Sequence, residues 1–274
     1  MIVAQELIDH ILDFLHQDFD TLKQCSLVSK SFLPTSQRHI FSTLQITDSN
    51  VKKLEEFFHR PESFDLRDRV SDLLNEYTTE LTLFYSERTE SIITNLCLPE
   101  FKNLRKIAFE GNKHGTDIPE FLEETWMSPD SRIRTFSLDS GWTEQVDVAE
   151  WLYILPTTVE NVSFIDRRPG YSNASPRFFR LEDHLPYAYP GRPARHVNGT
   201  LKLHLNPVFP LQVMLGIENV LKFNLTHISY RSYHPGGLSP LALLVAECKD
   251  TLESLDIICL GTWLAFFFFF SFRG

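Results

Sequence analysis

The residues of this chain that could support metal binding or catalysis occur in arrangements that fit other roles better. His10 and His16 lie among aspartates near the N-terminus, but they lack the i, i+4 spacing with which a helix binds zinc. Their charges fit a solvated helix face. The chain contains no G-x-S-x-G nucleophile turn and no glycine-rich phosphate loop. We therefore expect a protein that is not an enzyme and that has no catalytic residues, no metal site and no cofactor.

Arginine and aromatic residues are concentrated at 165–196. These types are over-represented in binding hot spots. The segment is interpreted either as a partner-binding loop or as a poorly ordered insertion that its arginines keep soluble. An anionic ligand such as a phosphorylated peptide would suit the arginines. The candidate residues for binding a protein substrate are Arg167, Arg168, Tyr171, Arg177, Arg180 and Arg192.

The elements that would position a binding site begin with the stretch ELIDHILDFL at 6–15. On a helix its apolar side chains fall within an arc of roughly 160°. These side chains are Leu7, Ile8, Ile11, Leu12, Phe14 and Leu15. A second helix follows with Asp18 or Asp20 as its N-cap, and Pro34 marks the start of a third.

The third helix is expected to use Ile40, Phe41 and Leu44 as its apolar residues. Three short helices over about forty-five residues enclose too small a core to be very stable alone. Some of their apolar faces should therefore pack against something else.

The ordered string VAQELIDHILDFLHQDFDTLKQCSLVSKSFLPTSQRHIFSTLQI resembles an F-box. The positions that match the family pattern are Glu6, Leu7, Ile11, Leu12, Leu15, Leu22, Val28, Ser29, Lys30 and Phe32. The Leu-Pro opening of the family is replaced by Val3 and Ala4, which leaves the helix entry less rigid.

The resemblance implies that this unit packs on the Skp-type adaptor of a cullin ubiquitin ligase. The residues at or beneath that contact would be Val3, Leu7, Ile8, Ile11, Leu12, Leu15, Leu22 and Val28. The alternative is that the apolar stripe is only the inside of a helical cap on the rest of the protein, because such stripes usually face their own core.

Beyond residue 60 an apolar-x-x-apolar-x-apolar pattern recurs. It is found in LRKIAF (104–109), IRTFSL (133–138), VENVSF (159–164), VLKFNL (220–225) and LESLDI (252–257), with weaker versions in TTELTL (78–83) and TLKLHL (200–205). The last two apolar positions alternate as in a short strand. Helical patterns lie between the matches, in SERTESIITNLC, IPEFLEETWM, VDVAEWLYIL and SPLALLVAECK.

Successive matches recur at the period of leucine-rich repeats, and this part resembles the degenerate repeats that follow the F-box in many fungal proteins. The predicted fold class is α+β: a three-helix F-box at 1–46, then an irregular αβ leucine-rich-repeat-like solenoid at 47–258 with an insertion near 165–196. A solenoid stacks its units and exposes a long concave surface.

Composition limits the kinds of partner. The formal net charge of −10 disfavours nucleic acid. The four cysteines at 25, 97, 248 and 259 form no C-x-x-C pair, so neither a zinc cluster nor a disulfide framework is expected.

A secretory signal needs an uncharged apolar run, but acidic residues interrupt the only N-terminal candidate. This predicts an intracellular protein, cytoplasmic or nuclear.

The segment 259–274 breaks the repeat pattern with five consecutive phenylalanines. Three interpretations remain open. The segment is a buried final strand, a membrane anchor somewhat short of the roughly 20 residues that span a bilayer, or translated intron sequence in the gene model.

Together these features predict a substrate-recognition subunit that binds a Skp-type adaptor, and through it a cullin, and that selects a protein substrate with its repeats. A repeat scaffold without a ubiquitin role and a tail-anchored membrane adaptor are the alternatives.

Overall fold

The structure is a computed structural model that describes residues 4–53, 56, 72–84, 86, 89, 101–111, 131–140, 151–152, 155–166, 195–204, 221–232, 238–260 and 265–271. The chain forms two compact units, Met1–Ala108 and Phe109–Gly274. The predicted helices therefore share a unit with the first strands of the chain.

The first unit begins with the helices α1 (Gln5–Phe14), α2 (Phe19–Val28) and α3 (Leu33–Ile40). The strands β1 (Thr43–Ile46) and β2 (Glu80–Phe84) follow and pair in parallel. The strand β3 (Lys106–Gly111) begins at the end of this unit. Residues 51–53 and 72–77 are also helical.

The third helix is shorter than the sequence predicts. It ends at Ile40, where the Phe41 N–H donates to the Gln37 carbonyl. Leu44, expected in this helix, lies in β1 and pairs with Leu81 of β2. The prediction is wrong at this residue because pairing with β2 is a long-range interaction, whereas the helical pattern is local. The β-branched Thr43 and Ile46 favour the strand.

The second unit contains β4 (Thr135–Ser140), β5 (Asn161–Asp166), β6 (Arg195–His204), β7 (Leu221–Ser232), the helix α4 (Leu238–Glu247), β8 (Ser254–Leu260) and β9 (Ala265–Ser271). Its strands lie side by side in chain order. Those from β4 to β8 are parallel. These parallel strands form a solenoid, as the predicted αβ solenoid requires, and α4 matches the predicted helix SPLALLVAECK.

Several of the apolar pattern matches position their strands in the same way. The first apolar residue precedes the strand and is buried, as at Ile133, Val159 and Leu252, which are 5%, 5% and 6% exposed. The last two alternate on the inner face, as Val162 and Phe164 do in β5. Phe109, Phe136 and Phe164 come from such matches and form a ring cluster with Trp151, which lies outside the strands.

Side-chain hydrogen bonds connect successive turns at a recurring position. The donor stands immediately before the first apolar residue of a match, and it donates to a main-chain carbonyl one turn earlier. The pairs are Asn103 with Glu76 (2.7 Å), Thr158 with Ile133 (2.8 Å) and Thr251 with Leu225 (2.9 Å). Glu76 and Ile133 lie outside the strands, so their carbonyls are ones that the sheet ladder does not reach, whereas Leu225 lies in β7 next to the bulge at Thr226.

The strand β7 extends well beyond its predicted six residues. The match VLKFNL covers only its first half, and alternation then continues with Ile228 and Tyr230 buried. The register against β6 shifts between Gly199 and Thr200, so that Gly199 pairs with Leu225 and Thr200 pairs with His227. One extra residue in β7, Thr226, forms this bulge.

The phenylalanine-rich segment forms a strand. Residues Ala265–Ser271 are β9 and pair antiparallel with β8. Among the residues that the structure describes, no helix has both the length and the apolar character needed to cross a bilayer.

Candidate partner-binding surface on the N-terminal helices

The helix α1 begins at Gln5, immediately after Ala4. Its first N–H groups receive no side-chain cap, and the N–H groups of Leu7 and Ile8 donate to the Ala4 carbonyl. The helix α2 is capped by Asp18, which accepts a hydrogen bond from the Thr21 N–H at 3.0 Å and another from its hydroxyl at 2.7 Å. These bonds lower the pKa of the Asp18 carboxyl below its ordinary value.

The apolar arc of α1 is divided between two environments. Ile8 and Leu12 are 4% and 0% exposed and form a core with Leu22 of α2. Leu15, Cys25, Phe32 and Ile40 pack around this core and are partly buried. The helices therefore enclose a small core of their own, which uses only part of the arc.

The rest of the arc faces outward. Leu7, Ile11 and Phe14, which we call the outer stripe, are 55%, 48% and 86% exposed. Their i, i+4, i+7 spacing places them on one side of α1. At the end of α2, Leu27 and Val28 are also exposed, at 81% and 73%.

Exposed apolar side chains are concentrated on these helices. Of the eight large hydrophobic residues that are exposed in the described part of the chain, seven lie on α1, α2 or α3, and the eighth is Leu243 on α4. Single exposed apolar residues are normal, but several on one small unit indicate a surface that binds another molecule.

The polar side of α1 is joined to α3. The Thr35 hydroxyl donates to the Asp9 carboxylate, and the Gln5 amide donates to the same carboxylate and to the Ser31 carbonyl. Hydrogen bonds from Thr35 and Gln5 lower the pKa of Asp9. The sequence predicted a solvated face for these charges, but Asp9 is instead hydrogen-bonded to Thr35 and Gln5.

One turn later, Asp13 makes a second connection between the two helices. Its Oδ1 atom lies 2.9 Å from Arg38 Nη2 and 2.8 Å from His39 Nε2. Asp9 and Asp13 thus hold α1 against α3 from one side, which leaves the outer stripe uncovered by these contacts.

The exposed apolar side chains of these helices are suited to binding. In the segments that the structure describes, no three His, Cys, Asp or Glu residues are grouped so that they could hold a metal ion. Apolar side chains with polar residues around them are typical of a protein-binding patch.

The structure divides the predicted adaptor-binding residues by exposure. Leu7, Ile11 and Val28 are exposed, whereas Leu15 is partly buried. Ile8, Leu12 and Leu22 are buried beneath the surface. Val3 lies outside the described residues.

The predicted substrate-binding residues are not described by the structure. Arg167, Arg168, Tyr171, Arg177, Arg180 and Arg192 all fall within 167–194.

Phe14, Phe19 and Leu27 were not among the predicted adaptor-binding residues, although they are exposed apolar side chains of the same helices. Phe14 lies in the predicted arc of α1, and Leu27 stands next to Val28 in the matched segment. Their positions within or next to the F-box-like pattern could therefore have identified Phe14 and Leu27 as adaptor-binding candidates.

Comparison of the chain with family models, with curated proteins and with solved structures gives no match.

Proposed function

We propose that this chain is the substrate-recognition subunit of an SCF-type cullin ubiquitin ligase. Its three N-terminal helices bind a Skp-type adaptor, and its repeats bind a protein substrate. The observation that carries the proposal is the exposure of Leu7, Ile11 and Val28, which occupy apolar positions of the F-box-like pattern and are free to contact a partner. A helical cap on the chain's own core would be expected to bury these residues.

The proposed mechanism is proximity. The adaptor places the repeats on the ligase, and the bound substrate is then present at high effective concentration near the charged conjugating enzyme. The chain itself supplies binding energy and orientation and forms no covalent bond with the substrate. A role in this ligase places the protein inside the cell, in the cytoplasm or nucleus.

Co-purification with a Skp-type adaptor tests the proposal. The informative variants are Leu7→Asp and Val28→Asp, because both side chains are exposed and a charge there does not enter the core. Leu12 is unsuitable because it is fully buried, and a charge at that position would disrupt folding. Leu243→Asp is the matched control, since Leu243 is 61% exposed on α4.

The native chain and the Leu243→Asp variant should both retain the adaptor. The Leu7→Asp and Val28→Asp variants should melt as the native chain does but bind at least about tenfold more weakly, as expected for charging the centre of an apolar contact. Absence of adaptor from the native chain, or equal binding by all four proteins, would overturn the proposal and favour a scaffold without a ubiquitin role.

A further inference from the structure

The strands β6 and β7 differ in charge from the chain that contains them. The protein has 36 acidic and 26 basic residues, yet the sequences RHVNGTLKLH and LKFNLTHISYRS of these strands contain no Asp or Glu. They do contain arginine, lysine and histidine. This pair of strands is therefore a basic region in an acidic protein.

Several of these polar residues share one face of the sheet. Leu201, Leu203, Ile228 and Tyr230 are buried on the inner face. Because side chains alternate along a strand, the residues between them point to the opposite face, which we call the open face. On β6 and β7 it carries Lys202, His204, Lys222, Asn224, Ser229 and Arg231.

The strand register brings three of these basic residues together. His204 pairs with Arg231, and Lys202 stands two residues before His204 on the same face. His204 Nε2 lies 3.4 Å from Ser229 Oγ, and Ser229 pairs with Lys202. Lys202 and Arg231 are thus diagonal neighbours on adjacent strands.

The charges of this group are not neutralised by the described structure. Within the described residues, Lys202 and Arg231 form no ion pair, and Arg231 Nε has no hydrogen-bond acceptor. Burial, together with the positive charges of Lys202 and Arg231, lowers the pKa of His204 to about 4. The imidazole is therefore neutral at pH 7 and can form hydrogen bonds beside the two cations.

Among the described residues, acidic side chains lie beside β6 and β7 rather than on them. Asp256 of β8 pairs with Ser229, and Glu253 lies 4.0 Å from His227. An anion bound between Lys202 and Arg231 would relieve the repulsion between these cations.

The basic residues of the open face also extend along the strands beyond the pair Lys202 and Arg231. Lys222 and Arg231 are separated by nine positions on β7, a distance of about 30 Å at about 3.3 Å per residue. Between them, the Asn224 amide lies 3.2 Å from His196 Nδ1 and 3.3 Å from Asn198 Oδ1. This spread matches a series of separate carboxylates better than a single phosphate group.

We propose that the open face of β6 and β7 binds an extended acidic segment of another protein, with Lys222, Lys202 and Arg231 each opposite a carboxylate. An acidic segment would then be the substrate class for the function proposed above. Only the word substrate rests on that function, because the binding site itself is argued from β6 and β7. The net charge of −10 favours a peptide over a nucleic acid, because the rest of the protein surface repels a long polyanion.

The test is fluorescence anisotropy with the full chain and a labelled peptide of about ten residues, the length that spans the face, in which Glu alternates with Ser. The informative variant combines Lys202→Gln with Arg231→Gln. The matched control combines Lys102→Gln with Lys249→Gln, which removes the same charge from two exposed lysines elsewhere.

The native chain and the control should bind the peptide with similar affinity. The Lys202→Gln, Arg231→Gln variant should melt like the native chain and bind about tenfold or more weakly, since it loses two charge-assisted contacts. Native binding should weaken between about 0.1 M and about 1 M salt, over which the screening length falls from about 10 Å to about 3 Å.

Four results would overturn the proposal: no binding by the native chain, equal binding by the double variant, equal binding of a peptide with Gln in place of Glu, or binding that requires phosphoserine in place of Glu. Competition by an RNA oligonucleotide at equal or lower concentration would show a general polyanion surface and would also overturn it.

Co-purification of the same variant with the Skp-type adaptor separates this proposal from the proposed function. Retained adaptor with no peptide binding by any form of the chain would remove only the acidic-segment proposal. Peptide binding without adaptor binding would keep the peptide site and remove the ubiquitin role.

Discussion

The hydroxyl of Thr35 on α3 donates a hydrogen bond to the carboxylate of Asp9 on α1, 26 residues earlier in the chain. Thr35 is 6% exposed, so this bond lies where the two helices meet. Asp9 directly follows Ile8, which lies in the core with Leu12, so the bond joins the two helices beside that core. The bond therefore helps to hold α1 against α3 while the outer stripe remains exposed.

The first prediction concerns the pH dependence of this contact. Hydrogen bonds from Thr35 and Gln5 lower the pKa of Asp9 below its ordinary value of 3.8. A carboxyl whose pKa is lower in the folded state stabilises the fold above its unfolded pKa, and this stabilisation is lost as the pH falls through the folded pKa. The Thr35→Val variant should therefore melt below the native chain at about pH 6, and the difference should shrink below about pH 4.

Thr47→Val is the control, because the Thr47 hydroxyl is bonded to Ser49 and not to a carboxylate. Its melting difference from the native chain should be the same at both pH values. A Thr35→Val difference that did not change with pH would contradict the role of Asp9.

The second prediction separates the two sides of α1. Leu12→Ala should reduce the free energy of unfolding by about 2–5 kcal/mol, because Leu12 is fully buried and its loss leaves a cavity. Leu7→Ala should change it by no more than about 0.5 kcal/mol, because more than half of Leu7 is exposed. Urea denaturation measures both values, and equal costs would show that α1 is oriented differently.

The third prediction concerns the bulge between β6 and β7. Gly199 has φ +80°, and a Cβ atom there would lie 2.3 Å from the Glu160 carbonyl oxygen. That oxygen accepts a hydrogen bond from the Thr200 N–H at 2.7 Å, so the main chains are held close together. Gly199→Ala should cost at least about 2 kcal/mol of unfolding free energy.

The control for Gly199 is Asn198→Ala, on the same strand at an exposed position. Its cost should remain within about 1 kcal/mol. If thermal denaturation gave Gly199→Ala the same small cost, the close approach to Glu160 would be absent in solution.

The fourth prediction concerns the bonds between successive turns. The Thr158 hydroxyl donates to the Ile133 carbonyl at 2.8 Å. Thr158→Val keeps the shape of the side chain and removes the donor, so it should cost about 1–2 kcal/mol. Thr158→Ser retains the hydroxyl and should cost less. Hydrogen exchange at the Glu160 and Asn161 amides should be faster in the valine variant only, and identical exchange in the two variants would exclude the bond.

The sequence alone determined where most elements lie, because their signals are local. The apolar-x-x-apolar-x-apolar spacing placed β4, β5 and β8 within a few residues. The sequence offered Asp18 or Asp20 as the N-cap of α2, and the structure shows that Asp18 is the cap. The recurrence of the pattern also indicated an αβ solenoid, since each unit needs a neighbour on which to bury its apolar face.

Only the tertiary structure decided which side of each element is covered. The arc of α1 is continuous in sequence, but packing against Leu22 buries Ile8 and Leu12 and leaves Leu7 and Ile11 outside. Likewise, the proximity of Lys202 and Arg231 depends on the register of β6 against β7 and on the bulge at Thr226. Both outcomes depend on contacts between residues distant in the chain, which local periodicity does not encode.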